Sequence, residues 1–193
     1  MVNSANFNSF PIWRFVVPLG LQLGLILLVP AKSAYTYTFG TDVVIQTAPV
    51  DPYDLLRGYS QTLNYDISSV NELEKLSGEK NLEPGETFYV ILESPKEKNT
   101  PPLPWNPIQV MGNLPENLPP NSIAIKGLVK QYRTAVYGLE TYYMPEDRRQ
   151  EINRKINNLA NSDRRPFVVE IKVDPWGNSV PVSLWIEEEK YRF

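Results

Sequence analysis

The sequence predicts a mainly β, α+β protein. It reads as an antiparallel β-rich domain with one packed helix, set behind an N-terminal transmembrane helix. Three observations lead there. Short runs rich in Val, Ile, Tyr and Phe recur from residue 42 onward, separated by turn formers. The chain holds 18 prolines and 11 tyrosines, a balance that suits strands and long turns better than long helices. Phe15–Ala31 is an unbroken uncharged apolar run. Hydrophobic residues make up 42% and aromatics 11%, which supports a packed core and excludes a disordered chain.

The N-terminal run reads FVVPLGLQLGLILLVPA. It stands at the lower limit of length for a spanning helix. Trp13 precedes it, and Tyr35, Tyr37 and Phe39 follow, aromatics of the kind that suit membrane interfaces. Arg14 lies before the run and the first acid is Asp42, which orients the N-terminus to the cytoplasm and the domain to the extracytoplasmic side. Lys32, on the far side, acts against that asymmetry. Two readings stand. In one, residues 1–33 are an uncleaved membrane anchor that meets the lipid bilayer through residues 15–31. In the other they are a secretory signal peptide. Phe15–Val29 is then its apolar core and Ala31-Lys32-Ser33 a small-x-small site, so that cleavage near Ser33 releases a secreted or periplasmic domain. A buried core helix is the third reading, opposed by the lack of any polar face. Both leading readings export residues 34–193.

The exported part is read in chain order. Asp42–Thr47 is a β-branched strand, and Ala48–Gly58 a connection rich in turn formers. Tyr59–Ser68 places Leu63, Tyr65 and Ile67 on one face at period two, so it is a second strand. Val70–Leu76 fits one or two helical turns. Glu86–Glu93 is a strand with a buried centre, and Pro107–Met111 a short strand inside the proline-rich stretch from Lys96 to Asn121. Ser122–Lys130 and Thr134–Tyr143 are the next two strands, linked as a hairpin. Pro145–Ala160 is the globular helix: Pro145 fits its first position, Glu146 and Asp147 the positive end of its dipole, and Ile152, Ile156 and Leu159 one apolar stripe. Arg165–Val173 and Val180–Glu187 close the domain around a turn at Asp174–Asn178, and Glu187–Lys190 is a solvated edge.

The composition also limits chemistry. There is no His and no Cys, so no disulfide, thiolate nucleophile, Ser-His-Asp triad or zinc site of the usual ligands can form. The net charge is −3 and the basic residues are scattered, which argues against nucleic acid as a partner. No cofactor and no metal is called for. What survives is carboxylate, hydroxyl, lysine and arginine chemistry. Asp51, Asp54 and Arg57, followed by Gly58, read either as a polar patch facing a ligand or as a turn cap with an ion pair. Asp51, Asp54 and Glu140 would be oxygen ligands for Ca²⁺ or Mg²⁺ if they met, although the EF-hand spacing is absent. For a hydrolase using a Ser–Lys pair, Ser60 beside Gly58 is the nearest candidate nucleophile, with Lys126 or Lys130 as the base. Thr100–Pro107 (TPPLPWNP) is a polyproline ligand or a rigid hairpin tip with Trp105 folded onto the sheet. Tyr142 and Tyr143 read as core and edge packing.

Two stretches carry a resemblance. PVDPYDLLRGYSQTLNYDIS, over Pro49–Ser68, resembles the signature of the GDYXXLXY family of bacterial membrane-anchored proteins. Tyr59 stands where that family carries Asp, and Ser60 where it carries Tyr. A second stretch, Tyr137–Pro145 (YGLETYYMP), is similar to the segment that precedes the family's helix. The resemblance implies an integral membrane protein of uncharacterised activity and assigns no catalytic residue. With the missing histidines it points to a non-enzymatic accessory domain for an integral-membrane partner. The candidate binding patch is Asp51, Asp54, Arg57, Tyr65 and Glu140. A membrane-anchored hydrolase using Ser–Lys or carboxylate chemistry is the alternative.

Overall fold

The computed structural model describes residues 11–48, 60–62, 64–78, 81–97, 99–143, 151–152, 154–155 and 167–192. The chain divides into two compact units, Met1–Ala34 and Tyr35–Phe193.

The first unit is helical. Helix α1 runs Trp13–Phe39, so its last turn belongs to the second unit. Each large apolar side chain from Phe15 to Leu28 is more than half exposed. A core helix would bury such a face. No single helix among the described residues is long and apolar enough to cross a membrane. Trp13–Leu28 and Pro30–Phe39 would pass together by length and composition, with a bend of 41° between them. The bend falls at Pro30, which lacks the N–H for its helical bond and crowds the carbonyl one turn earlier. The expected run of residues 15–31 is therefore helical but bent.

The second unit is β-rich and antiparallel. Its strands are β1 Thr41–Ala48, β2 Ser60–Thr62, β3 Asn64–Tyr65, β4 Thr87–Glu93, β5 Asn106–Met111, β6 Ser122–Lys130, β7 Thr134–Val136, β8 Thr141–Tyr143, β9 Phe167–Val173, β10 Ser179–Ile186 and β11 Glu189–Arg192. They form a five-stranded sheet in the order β11-β10-β9-β1-β3, a four-stranded sheet β5-β4-β6-β7, and the pair β2-β8. Period-two patterning drives this. Val43 and Ile45 of β1 point inward with Val169, Ile171 and Val173 of β9, and Val90, Leu92, Ile125 and Val129 answer from the four-stranded sheet. Backbone bonds also tie the two large sheets together: Trp105 N–H donates to Val44 C=O and Lys126 N–H to Gly177 C=O, each at 2.8 Å. Helix α2, Val70–Leu76, buries Val70 and Leu73 in the same core.

Most of the expected strands and the short helix stand close to their expected bounds, and three differences have local causes. The strand expected over Tyr59–Ser68 breaks into β2, β3 and a 3-10 turn at Asp66–Ser68. There the Ser68 hydroxyl takes the Tyr65 N–H at 3.2 Å and removes it from the ladder. Tyr65 and Ile67 are both buried, as the alternation predicts, while Leu63 lies outside the described residues. The strand expected over Thr134–Tyr143 breaks at Tyr137–Glu140, where Gly138 has φ 78°. No strand continues through such a residue. The last strand stops at Ile186, because Glu187 has φ 55°; Glu187–Lys190 is exposed, as expected of a solvated edge, and the chain turns back there into the edge strand β11, whose Tyr191 is buried. Tyr35–Phe39, the aromatic stretch after the apolar run, completes α1.

Of the expected helix over Pro145–Ala160, residues 151–152 and 154–155 are described and helical, and the rest lies outside the described residues. Ile152 is fully buried in the core. Lys155 Nζ reaches Glu189 Oε2 at 2.5 Å and the Tyr191 hydroxyl at 3.0 Å, tying this helix to β11. Those bonds to Glu189 and Tyr191 hold the Lys155 ammonium well above the usual lysine range.

The Asp174–Asn178 turn is the other fixed point. Asp174 is 2% exposed and its carboxylate accepts from the N–H groups of Trp176 and Asn178, from the Asn178 amide and from the Thr36 hydroxyl at 2.8 Å. Thr36, on the last turn of α1, is itself buried. Gly40 then lets the chain pass from helix to β1. A Cβ there would strike the Thr36 carbonyl and crowd Lys172 and the Val173 N–H.

Candidate functional site

The two signature stretches meet in the core. Tyr65, at the end of β3, points inward and its hydroxyl donates to the carbonyl of Leu139 at 2.7 Å. Tyr137, just after β7, points inward as well, and its hydroxyl donates to the carbonyl of Ile67 at 2.6 Å. Each phenol thus holds the backbone of the other stretch. Both rings are buried. Burial pushes both phenols far above the usual tyrosine range, and the nearby Glu140 charge adds to the shift. The Glu140 carboxylate accepts the Tyr137 N–H, closing the tight turn that Gly138 permits. The Tyr137 ring meets the Phe88 ring edge-on at 5.9 Å. Space for Phe88 comes from Gly127, where a Cβ would overlap that ring.

Beside this clasp lies an open cleft of about 760 Å³. Its walls come from Ile45 and Gln46 of β1, Ile67, α2, Leu92 of β4 and the Pro104–Pro107 stretch. The lining is apolar through Ile45, Ile67, Leu73, Leu76, Leu92 and Trp105. Its polar groups are Gln46, Glu72, Lys75 and Asn106. Glu72 and Lys75 pair across one helical turn at 2.7 Å, and the Gln46 amide is turned onto the Phe167 carbonyl at 2.7 Å. Trp105 packs against the core, so the proline-rich stretch is folded onto the sheet. The clasp and the cleft share Ile67: its carbonyl receives Tyr137 and its side chain lines the cleft.

Residues 22–184 match the model of one protein family, described as GDYXXLXY protein. The chain belongs to the GDYXXLXY family. The match spans both signature stretches and everything between them. No curated protein and no solved structure matches the chain.

Among the signature residues of this GDYXXLXY chain, the structure brings Tyr65 and Glu140 into one buried arrangement. Asp51, Asp54 and Arg57 lie outside the described residues. Glu140 is engaged with the Tyr137 turn. Lys126 and Lys130 stand exposed on β6, and Ser60 is paired in β2 opposite Tyr143. The side chains of Ser60, Tyr142 and Tyr143 lie outside those described. Among the described residues no three Asp or Glu side chains gather as a metal would need.

Sequence reasoning missed Tyr137 as a partner of Tyr65, although the second stretch opens on it. It also missed Glu170, whose carboxylate accepts from Ser183, from the Trp185 indole at 2.9 Å and from Lys190 at 2.5 Å. Burial opposes its charge, but the bonds from Lys190, Ser183 and Trp185 outweigh that and hold it below the usual carboxylate range. Only the alternation of β9 and β10 could have placed these side chains together.

Proposed function

We propose that this GDYXXLXY chain is a membrane-anchored, non-enzymatic accessory domain that faces an extracytoplasmic space and binds an integral-membrane partner at its cleft. One observation carries the reading: the signature stretch runs from the buried Tyr65 into the cleft wall at Ile67. The clasp braces that wall, because the Tyr137 hydroxyl bonds the Ile67 carbonyl. Asp51, Asp54 and Arg57 are read from the sequence as polar recognition groups for the same partner. An apolar lining with a few polar groups suits a short hydrophobic segment of another protein. The absence of His and Cys from the sequence supports binding over catalysis. The uncharged run over residues 15–31, preceded by Arg14 and by no acid, supports an anchor with its N-terminus in the cytoplasm.

The lack of native cysteine makes a clean test available. Asn106→Cys, at the exposed cleft rim, carries a photo-cross-linker in native membranes. The expected result is one discrete adduct with a protein that resists carbonate extraction, abolished by Leu76→Arg in the cleft wall. The same adducts from Glu188→Cys, in the β10–β11 turn, or their survival in the Leu76→Arg chain would reject the cleft as the binding site. Mass spectrometry of the N-terminus in cells decides between the anchor and cleavage near Ser33.

A further inference from the structure

Trp176 is a large aromatic that its own turn does not use. Asp174 and Asn178 close the turn, and Gly177 supplies the φ of 82°. Position 176 contributes only its N–H, and its indole is 56% exposed. The indole lies 5.6 Å from the Tyr35 ring, which lies 5.1 Å from the Phe39 ring. Tyr35 and Phe39, on the last turns of α1, are exposed by 41% and 70%. Aromatics from two distant stretches of chain thus make one exposed cluster. The bond from buried Thr36 to Asp174 fixes the two stretches to each other.

We propose that Trp176, with Tyr35 and Phe39, is a lipid-facing seat that lies in the headgroup region and holds the β-domain against the bilayer. This rests on the reading of residues 15–31 as a membrane anchor. Connectivity supplies the first argument. Only Lys32, Ser33 and Ala34 separate the uncharged run from Tyr35. Four residue steps span about 6 Å as helix and about 14 Å at full extension, so the cluster cannot leave the neighbourhood of the interface. Chemistry supplies the second. Trp and Tyr combine an apolar ring with one polar atom and concentrate where hydrocarbon meets water. The fold of the second unit supplies the third: the Thr36–Asp174 bond holds Tyr35 and Phe39 beside Trp176, so the aromatics are presented together.

The test uses the full chain reconstituted in vesicles of phosphatidylcholine and phosphatidylglycerol. Trp176→Cys carries a nitrobenzoxadiazole probe, and Glu188→Cys, at the opposite end of β10, carries the same probe as control. Pro175→Cys repeats the first measurement with Trp176 in place, in case its loss unsettles the turn. Co-flotation of the chain with vesicles tests the anchor itself. If the chain floats, the expected result is blue-shifted emission at positions 175 and 176, quenched by lipids spin-labelled near the headgroup, with neither effect at position 188. A floating chain whose probes at 175 and 176 behave like that at 188 overturns the seat and leaves the anchor standing, as would be found if the cluster served a protein partner. A chain that does not float overturns the anchor, and the seat with it.

Discussion

Tyr65 and Tyr137 clasp each other's chains: the Tyr65 hydroxyl bonds the carbonyl two residues past Tyr137, and the Tyr137 hydroxyl bonds the carbonyl two residues past Tyr65. The two signature stretches, seventy-odd residues apart, are held by this exchange. Phenylalanine at either position keeps the ring and leaves a buried carbonyl unpaired. Tyr65→Phe and Tyr137→Phe should each cost about 1–3 kcal/mol of stability. Because each bond supports the loop that presents the other, the double variant should deviate from additivity. Urea unfolding of the four chains checks this. Two changes below about 0.5 kcal/mol, the scale of ordinary surface substitutions, would show that water replaces both bonds.

The same pair sets an alkaline limit. Burial, aided by the Glu140 charge, raises both phenols above the ordinary 10.0. The unfolded chain therefore loses these protons first as pH rises, and ionisation favours unfolding. The stability tied to the pair is fully present below pH 10 and is lost above it, at about 1.4 kcal/mol per pH unit for each tyrosine. Unfolding midpoints measured between neutral pH and pH 11.5 should fall steeply for the native chain and less steeply for the double phenylalanine chain. A residual slope belongs to Tyr191, which burial also raises against the opposing bond from Lys155, and to Lys155, whose ammonium its bonds to Glu189 and Tyr191 hold above the usual lysine range. Parallel slopes in the two chains would remove the pair from the alkaline response.

Gly127 is needed for a reason of space. A Cβ there would run into the Phe88 ring, which is fully buried and stacked edge-on to Tyr137. Gly127→Ala should cost about 1–3 kcal/mol, the range for overpacking a closed core. A smaller neighbour should relieve the strain. In a Phe88→Leu background the added methyl group should cost clearly less than it does alone, as thermal or urea melts of the four chains would read. An equal cost in both backgrounds would place the strain in the backbone and not in the ring.

How much of this was legible follows from which forces were local. The alternation in Asp42–Thr47, Ser122–Lys130 and Arg165–Val173 is a period-two signal, and the strands there follow it. The same signal puts Tyr65 and Ile67 on one face, and both are buried although the strand breaks between them, so Tyr65 serves the core and not an exposed patch. The break depends on a Ser68 hydroxyl taking a backbone N–H, and the one at Tyr137–Glu140 on a glycine and a carboxylate. Such side-chain competition for the backbone leaves no periodic trace. The resemblance named both signature stretches, but nothing in the spacing could tell that they exchange hydroxyl bonds. The cleft was not legible at all, since its walls come from elements scattered between Ile45 and Pro107. The aromatic tail was noticed as a sequence feature, whereas Trp176 joins it only through the fold.

The last prediction concerns Asp174, where the end of α1 enters the β-domain. Its carboxylate collects hydrogen bonds from Thr36, Trp176 and Asn178 while nearly sealed from solvent. Asp174→Ala leaves those donors unmatched and should cost roughly 2–4 kcal/mol, since bonds to a charged acceptor are worth about 1.5–3 kcal/mol each. Thr36→Val, close in shape, removes one donor only and should cost about 1–2 kcal/mol. In the Asp174→Ala chain the Thr36→Val change should lose most of its effect, because its acceptor is already gone. Denaturant midpoints of the detergent-solubilised full chain read all three values. If Thr36→Val leaves the melting of the β-domain unchanged in the otherwise native chain, the last turn of α1 is not part of the cooperative unit. In that case the Asp174 turn stabilises the domain on its own.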